Sequence, residues 1–261
     1  MARTMAEQEL ALSIVIPCKD EAENITILID EIEASLSPCA IAQPFELIIV
    51  DDGSTDNTAD VVIDLKKTRP WLRLLRHDKC AGQSAGLRSG LLRSRGRIVA
   101  LLDGDGQNNP AYLPEMLAIF AASGPKVGMV AGQRLKRTDG FVKKQASRLA
   151  NALRGLMLQD QARDSGNGLK AFRREVWLAL PYFDHWHRFL PALVVREGYE
   201  LRFIDVMDRQ RRFGKSKYGV FDRALVGVLD LFGVWWLRKR RRVIPAVAEI
   251  QVGHAEIREQ R

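Results

Sequence analysis

Between Leu12 and Ser123 the chain alternates four times between a short apolar run and a segment whose apolar residues recur at helical spacing. The runs "LSIVIP" (12–17), "FELIIV" (45–50), "LRLLRH" (72–77) and "GRIVALLD" (96–103) have the length and composition of buried strands. After the first, Ile25, Leu28, Ile29, Ile32 and Leu36 fall on one helical face. Further helices are predicted from near Asp56, over 83–94 despite its glycines, and over 110–123. This alternation predicts an α/β domain on an open, mostly parallel, doubly wound sheet flanked by helices. In such sheets ligands bind outside the carboxyl ends of the strands. A dinucleotide fold is disfavoured, because "PCKDEAEN" follows the first strand where a G-x-G-x-x-G would stand.

The second half is less regular. A fifth strand is predicted over 127–134, an amphipathic helix over 141–158, a turn followed by strand and helix over 164–180, and a late strand over 201–207. The organisation expected is a catalytic α/β domain over 1–220 and a C-terminal amphipathic helix with a basic tail over 221–261. In that tail Phe221, Leu225, Val228, Leu229, Phe232, Trp235 and Trp236 share roughly one face, and Arg238 to Arg242 are all basic. Aromatic residues beside a basic run suit an anionic membrane interface, whereas the alternative is a helix packed on the core with a solvated end. No run of eighteen apolar residues occurs and "MARTMAEQEL" lacks the apolar stretch of a signal peptide, so a peripheral protein of the cytoplasm is expected. Three cysteines, an odd number without a C-x-x-C, imply neither a disulfide framework nor a zinc site.

Two acidic clusters carry the chemistry. "IIVDDGSTDNT" (48–58) and "VALLDGDGQNNP" (99–110) each put carboxylates at the end of a buried strand, where they are costly unless compensated. Asp103 and Asp105, two apart in a glycine-rich turn with Gln107 close by, suit Mg²⁺ or Mn²⁺ held beside a diphosphate. Asp51 and Asp52 suit the ribose hydroxyls and base N–H groups of a nucleotide; an acidic turn in which Thr55 or Asp56 caps a helix is the alternative. Asp164, before Ser-Gly-Asn-Gly, is placed to hold a sugar hydroxyl or to act as a base, unless it merely shapes the turn.

The formal net charge is +8, and Arg209, Arg211, Arg212, Lys215 and Lys217 crowd around Gly214. No zinc finger, recognition helix or base-stacking aromatic pair accompanies this run, which argues against nucleic acid. Paired with a metal-type acidic site, it favours a clamp on the phosphate of a small substrate.

Together the strings "IVIPCKDEAENI", "IIVDDGSTDNT", "LLDGDGQNNP", "DSGNGLKAFRR", "HRFLPAL" and "RFGKSKYG" resemble the family 2 glycosyltransferases of GT-A fold, in order and spacing, over about residues 12–220. The branch resembled is that of the polyprenyl-phosphate sugar synthases, which includes dolichyl-phosphate mannosyltransferase. The resemblance implies that Pro17 and Glu21 border the nucleotide, that Asp51 and Asp52 hold base or ribose, and that Asp103, Asp105 and Gln107 form the metal motif. It implies further that Asp164 stands near the reacting centre, and that Arg209, Arg211 and Lys217 engage phosphate. The implied reaction is an inverting transfer from a UDP- or GDP-sugar to a polyprenyl phosphate at the cytoplasmic face of the membrane, for envelope glycan or lipopolysaccharide modification. Two other functions compete with it: transfer to a saccharide hydroxyl, with Asp164 as base, and a non-enzymatic membrane or nucleic-acid module. This chain departs from the family at Cys18-Lys19-Asp20, where Thr-Tyr-Asn is common, at Gly104, often Ala, and at Asp208-Arg209-Gln210-Arg211, often His-Arg-Pro-Arg.

Overall fold

The structure is a computed structural model that describes residues 10–135, 154–164, 166–210 and 222–242. Strands β1 (Leu12–Cys18), β2 (Phe45–Asp51), β3 (Leu72–Arg76) and β4 (Ile98–Leu101) form the parallel half of one sheet, in the spatial order β3-β2-β1-β4. Strands β5 (Val127–Arg134), β6 (Lys170–Arg173) and β7 (Glu200–Val206) extend it as β4-β6-β5-β7. Strand β6 runs antiparallel to both β4 and β5, so the sheet is mixed though mostly parallel.

Period-two alternation sends each strand's side chains to two cores. Leu12, Ile14 and Ile16 of β1 join one core with Ile25, Leu28, Ile29 and Ile32 of helix α1 (Ala22–Leu36), together with α2 (Thr58–Lys66) and α4 (Leu113–Ala122). Val15 of β1 faces the other, with Leu87 and Leu91 of α3 (Gln83–Arg93). That second core also takes in Trp177 of α5 (Arg174–Ala179), Leu190 and Leu193 of α6 (Leu190–Arg196), and Leu231 and Val234 of α7 (Asp222–Lys239). Burial on both faces explains why β1, β2 and β4 read as nearly continuous apolar runs.

The glycines within α3 have a packing cause. A Cβ on Gly86 would stand 2.9 Å from Cβ of Pro17, and one on Gly90 would overlap Val15. The helix therefore lies flat on β1, with its N-terminus at the carboxyl end of the sheet. At the opposite end, buried Glu46 accepts from Ser13 Oγ at 2.7 Å, Arg73 at 2.6 Å and Arg95 at 2.9 Å, and clamps the starts of β1 and β2.

The helix expected over 141–158 is described only at 154–158, which is helical; 141–153 lie outside the described residues. In α7 the apolar face read from the sequence is the outward one. Leu229, Phe232 and Trp236 are 65%, 57% and 56% exposed, whereas Leu231 and Val234 turn inward. Among the described residues no helix is long and apolar enough to cross a membrane.

Candidate active site

Strand β1 lies between β2 and β4, so the two acidic clusters emerge on either side of its carboxyl end. Both lean on that end. The Asp52 N–H donates to the Cys18 carbonyl at 2.8 Å, and a Cβ on Gly104 would stand 2.9 Å from that of Cys18. Two consecutive residues at the start of α3 then join the clusters. The Gly82 N–H donates to Asp52 Oδ2 at 2.8 Å, and the Gln83 amide donates to Asp103 Oδ1 at 2.8 Å. The clusters thus border one crevice, with the N-terminus of α3 between them, an arrangement that favours a negatively charged ligand.

The first cluster is tightly engaged by the protein. Asp52 Oδ1 meets Nδ1 of His77 at 2.7 Å and the Ala81 N–H at 2.9 Å; Oδ2 accepts from Gly82 and, at 3.3 Å, from the Cys80 thiol. Burial pushes this carboxyl up, but its four donors outweigh burial and hold it below the usual carboxylate range. A carboxylate offers about four acceptor sites, so a ribose or base reaching Asp52 displaces one of these donors. Asp51 is buried, accepts from the Ser54 N–H at 2.9 Å and lies 3.2 Å from Arg76. Asp56 accepts from the Thr58 N–H at 3.0 Å and the Ala22 N–H at 3.3 Å, although the N-cap of α2 is Asn57 and that of α1 is Glu21. Glu21 accepts from the Asn24 amide at 2.6 Å, and Pro17 packs on Gly86.

The second cluster is braced from beneath. The Asp103 N–H donates to Asn108 at 3.0 Å, Asn108 donates to Asn167 at 3.4 Å, and Asn167 donates to Asp208 at 3.1 Å. Asp105 Oδ1 accepts from the Gln107 N–H at 3.1 Å, closing the turn at Gly106, whose φ of +72 suits glycine. A Cβ on Gly168 would overlap the Asp103 carboxylate, so the "GNG" turn lies directly against it. Burial first, and Asp105 second, push the Asp103 carboxyl up to about 6. Asp103 and Asp105, two residues apart on this turn, offer paired carboxylate oxygens of the kind a divalent cation takes. Among the described residues no group of three or more His, Cys, Asp or Glu side chains is placed to hold a metal. A Mg²⁺ ion ordinarily completes its shell with water and substrate phosphates and needs only one or two carboxylates of the protein.

Behind Asp103 lies a cavity of about 380 Å³, lined by Gln83, Leu87, Lys170, His187 and Arg188 among others. Lys170 is buried in β6 and donates to the Asn167 carbonyl; burial pulls its ammonium down to about 8. Nδ1 of His187 lies 2.8 Å from Ser84 Oγ, and burial pulls this imidazole down to about 3, so it is neutral at physiological pH. Asp164 is held by Arg134 through both oxygens, with Nη2 donating to Oδ1 at 2.9 Å, and it also accepts from the Gly166 N–H at 3.1 Å. Arg134 is 3.4 Å from Asp208 as well. Arg209 reaches Glu31 at 2.6 Å and Asn109 at 2.5 Å while its N–H donates to the Gln107 carbonyl at 2.9 Å. In this structure its guanidinium ties the metal-motif turn to α1. Arg211 and Lys217 lie outside the described residues, as do Gly214 and Ser216.

Gln83 and Arg134 carry no motif in their local strings, whereas His187 opens "HRFLPAL" and Lys170 lies within "DSGNGLKAFRR", strings that share in the resemblance without a role of their own. The further signal for Lys170 is a lysine inside the otherwise apolar "GLKAF".

The family "Glycosyl transferase family 2" matches residues 13–178. A dodecaprenyl-phosphate galacturonate synthase of Rhizobium johnstonii is 31% identical over 242 residues, 89% of this chain and 68% of that protein. An undecaprenyl-phosphate 4-deoxy-4-formamido-L-arabinose transferase of Pectobacterium carotovorum is 31% identical over 209 residues, 79% of this chain and 62% of that protein. The chain thus spans about two thirds of the length of these relatives. Among solved structures, a mannosyltransferase of Pyrobaculum calidifontis in complex with GDP-Man and Mn²⁺ aligns with a TM-score of 0.62 at 22% identity, covering 92% of this chain and 67% of that one. A glucosyl-3-phosphoglycerate synthase of Mycobacterium tuberculosis with Mn²⁺ and UDP-glucose aligns with a TM-score of 0.64 at 21% identity, covering 89% and 84%. Likeness at that identity shows a shared fold, the mostly parallel GT-A sheet.

Proposed function

The chain belongs to glycosyl transferase family 2, and on that footing we propose that it transfers a sugar, with inversion, from a nucleotide diphosphate sugar to a polyprenyl phosphate. The product is a lipid-linked sugar for envelope glycan or lipopolysaccharide modification, made at the cytoplasmic face of the membrane. The observation that carries this reading is the joining of the two acidic clusters through Gly82 and Gln83 into one crevice. The nucleoside lies toward Asp51, Asp52, Pro17 and Glu21, the diphosphate at the start of α3, and the sugar toward the cavity behind Asp103.

Asp103, Asp105 and Gln107 would hold Mg²⁺ or Mn²⁺, which when bound neutralises charge on the departing diphosphate. An oxygen of the acceptor phosphate forms the new bond to the anomeric carbon as the bond to the nucleotide diphosphate breaks. With a second pKa near 6, that phosphate is largely ionised at neutral pH. It has no need of a base; it needs positioning, which falls to Arg211 and Lys217, with Arg209 holding the metal-motif turn. Transfer to a saccharide hydroxyl requires a base, and the candidate, Asp164, already accepts from Arg134 and Gly166. Asp164 accordingly orients its surroundings. The relatives named for polyprenyl-phosphate products support the lipid acceptor, as does the outward apolar face of α7 beside the basic run at 238–242.

Asp105→Asn tests this assignment. Sugar transfer and Mn²⁺-dependent nucleotide binding are expected to fall at least a hundredfold, while binding to anionic vesicles is unchanged. Transfer that survives this change contradicts the assignment of the metal motif.

A further inference from the structure

Strand β6 opens on a lysine at a core position. Lys170 pairs with Leu101 at the end of β4, two residues before Asp103. Phe172, two residues on and on the same face, packs in the core with Leu87 and Leu101. Lys170 is 4% exposed and lines the cavity of about 380 Å³ behind Asp103. Resting on the proposed transfer from a nucleotide diphosphate sugar, we infer that the donor sugar carries a carboxylate, as a uronic acid does, and that Lys170 and Arg188 receive it in this cavity.

The first support is the hydrogen bonding of Lys170. An ammonium has three N–H donors and no acceptor. Among the described residues its hydrogen-bond partner is the Asn167 carbonyl, and the carboxylates that favour its charge are Asp103 and Asp164. Each of those carboxylates has another claimant. Arg134 spans Asp164 through both oxygens. Asp103 belongs to the metal motif, where a divalent cation takes up its charge. A buried ammonium is costly unless it is paired. A carboxylate in the cavity supplies the pairing and accepts the remaining donors.

The second is the charge of the lining. The residues around the cavity include two cations, Lys170 and Arg188, against one carboxylate, Asp103. Their joint field reaches His187, which lines the same cavity: after burial, Lys170 and then Arg188 pull its imidazole down. His187 is held by Ser84 at 2.8 Å and, being neutral, adds no charge of its own. The planar fork of an arginine matches a carboxylate, and a charge-assisted hydrogen bond is stronger than a neutral one. A hexose with a neutral hydroxymethyl group leaves that match unused.

Two rival roles for Lys170 make different predictions. In one it binds the diphosphate, which already has the start of α3 and the metal motif. In the other it only balances Asp103. Both leave donors that differ solely at C6 of the sugar equally well bound.

The test reads donor affinity by titration calorimetry on the full chain with Mn²⁺ and no acceptor. The donors are matched pairs: UDP-glucose and UDP-glucuronate, UDP-galactose and UDP-galacturonate, GDP-mannose and GDP-mannuronate. In at least one pair the uronate is expected to bind about tenfold tighter or more than its hexose. Lys170→Met, apolar like its neighbours on this face, is expected to erase most of that preference, with affinity for the bare nucleotide diphosphate kept within about twofold, because the change removes a charge from the sugar's side of the site. Arg188→Gln is expected to reduce the preference, and decides the matter alone should Lys170→Met not fold. Equal binding of uronate and hexose by the wild type, or a preference that both variants retain, overturns the inference. So does an equal loss in Lys170→Met for uronate, hexose and bare nucleotide diphosphate, which gives the lysine to the diphosphate. Failure of transfer from a bound donor to any prenyl phosphate defeats the proposed acceptor instead, and leaves these affinities as they are.

Discussion

At the scale of single residues, the candidate site trades stability for binding. At Asp103, burial and the neighbouring Asp105 outweigh the charges of Lys170 and Arg134 and push the carboxyl up to about 6. A folded-state pKa above the ordinary carboxylate value means that its ionised form, present at pH 7.5, weakens the fold. Asp103→Asn is therefore expected to raise the melting temperature by a few degrees without divalent cations, the equivalent of about 1 kcal/mol. It is also expected to abolish the further rise that Mn²⁺ gives the wild type. A variant that melts lower yet keeps the Mn²⁺ response contradicts this account. Asp103 and Asp105 were legible in the sequence because two carboxylates at the end of an apolar strand need a compensating charge. Their partners were not. Gln83 and Lys170 are distant in sequence and meet Asp103 only because α3 packs on β1, the neighbour of β4, and β6 pairs with β4.

At the scale of elements, local chemistry was easier to read than relative direction. The strand–helix alternation located β1, β2 and β4 because their side chains are buried on both faces, and it located β3 although that strand is only partly buried. The direction of β6 had no local signal: an antiparallel strand in a covered sheet has the same apolar character as a parallel one. The glycines of α3 read as a weakness in a helix, and the structure turns them into contacts with Pro17 and Val15. Gly90→Ala is accordingly expected to destabilise, although alanine is the better helix former. Overpacking typically costs about 1–3 kcal/mol, and chemical denaturation should show the midpoint falling. A midpoint that rises would show that helix propensity governs this position.

Glu46 gives the strand starts a pH dependence. Burial raises its carboxyl, but the hydrogen bonds from Ser13, Arg73 and Arg95 win and hold it below its ordinary value of 4.5. A depressed folded-state pKa contributes stability that is present above 4.5 and lost as pH falls through the lower, folded value. Glu46→Gln is expected to lose about 3 kcal/mol at pH 7, as for a broken buried ion pair. The gap to the wild type should narrow below pH 4. A gap of constant size down to pH 3 contradicts the ionic origin.

At the scale of the whole molecule, the sheet divides the labour. Its amino end is a clamped structural edge around Glu46, and its carboxyl end carries the crevice. Helix α7 carries an outward apolar face and a basic end. The sequence placed Phe232 and Trp236 on one face, but could not say whether that face met the core. The structure turns Leu231 and Val234 inward instead. Binding to vesicles rich in anionic lipid should weaken with salt, since exposed charges are screened within about 8 Å at physiological ionic strength. Phe232→Asp with Trp236→Asp should reduce it at least tenfold and leave nucleotide binding intact. Unchanged vesicle binding by that double variant would place the membrane contact elsewhere.

The central claim is tested most directly by mixing the purified protein, Mn²⁺ or Mg²⁺ and a short-chain polyprenyl phosphate with a panel of UDP- and GDP-sugars, and reading the lipid fraction by mass spectrometry. The account predicts one new lipid species, a prenyl phosphate bearing one sugar, formed only with a divalent cation and lost in Asp105→Asn. No lipid product with any donor, alongside nucleotide diphosphate release that rises with a saccharide acceptor, would contradict it and assign the crevice to transfer onto a sugar hydroxyl.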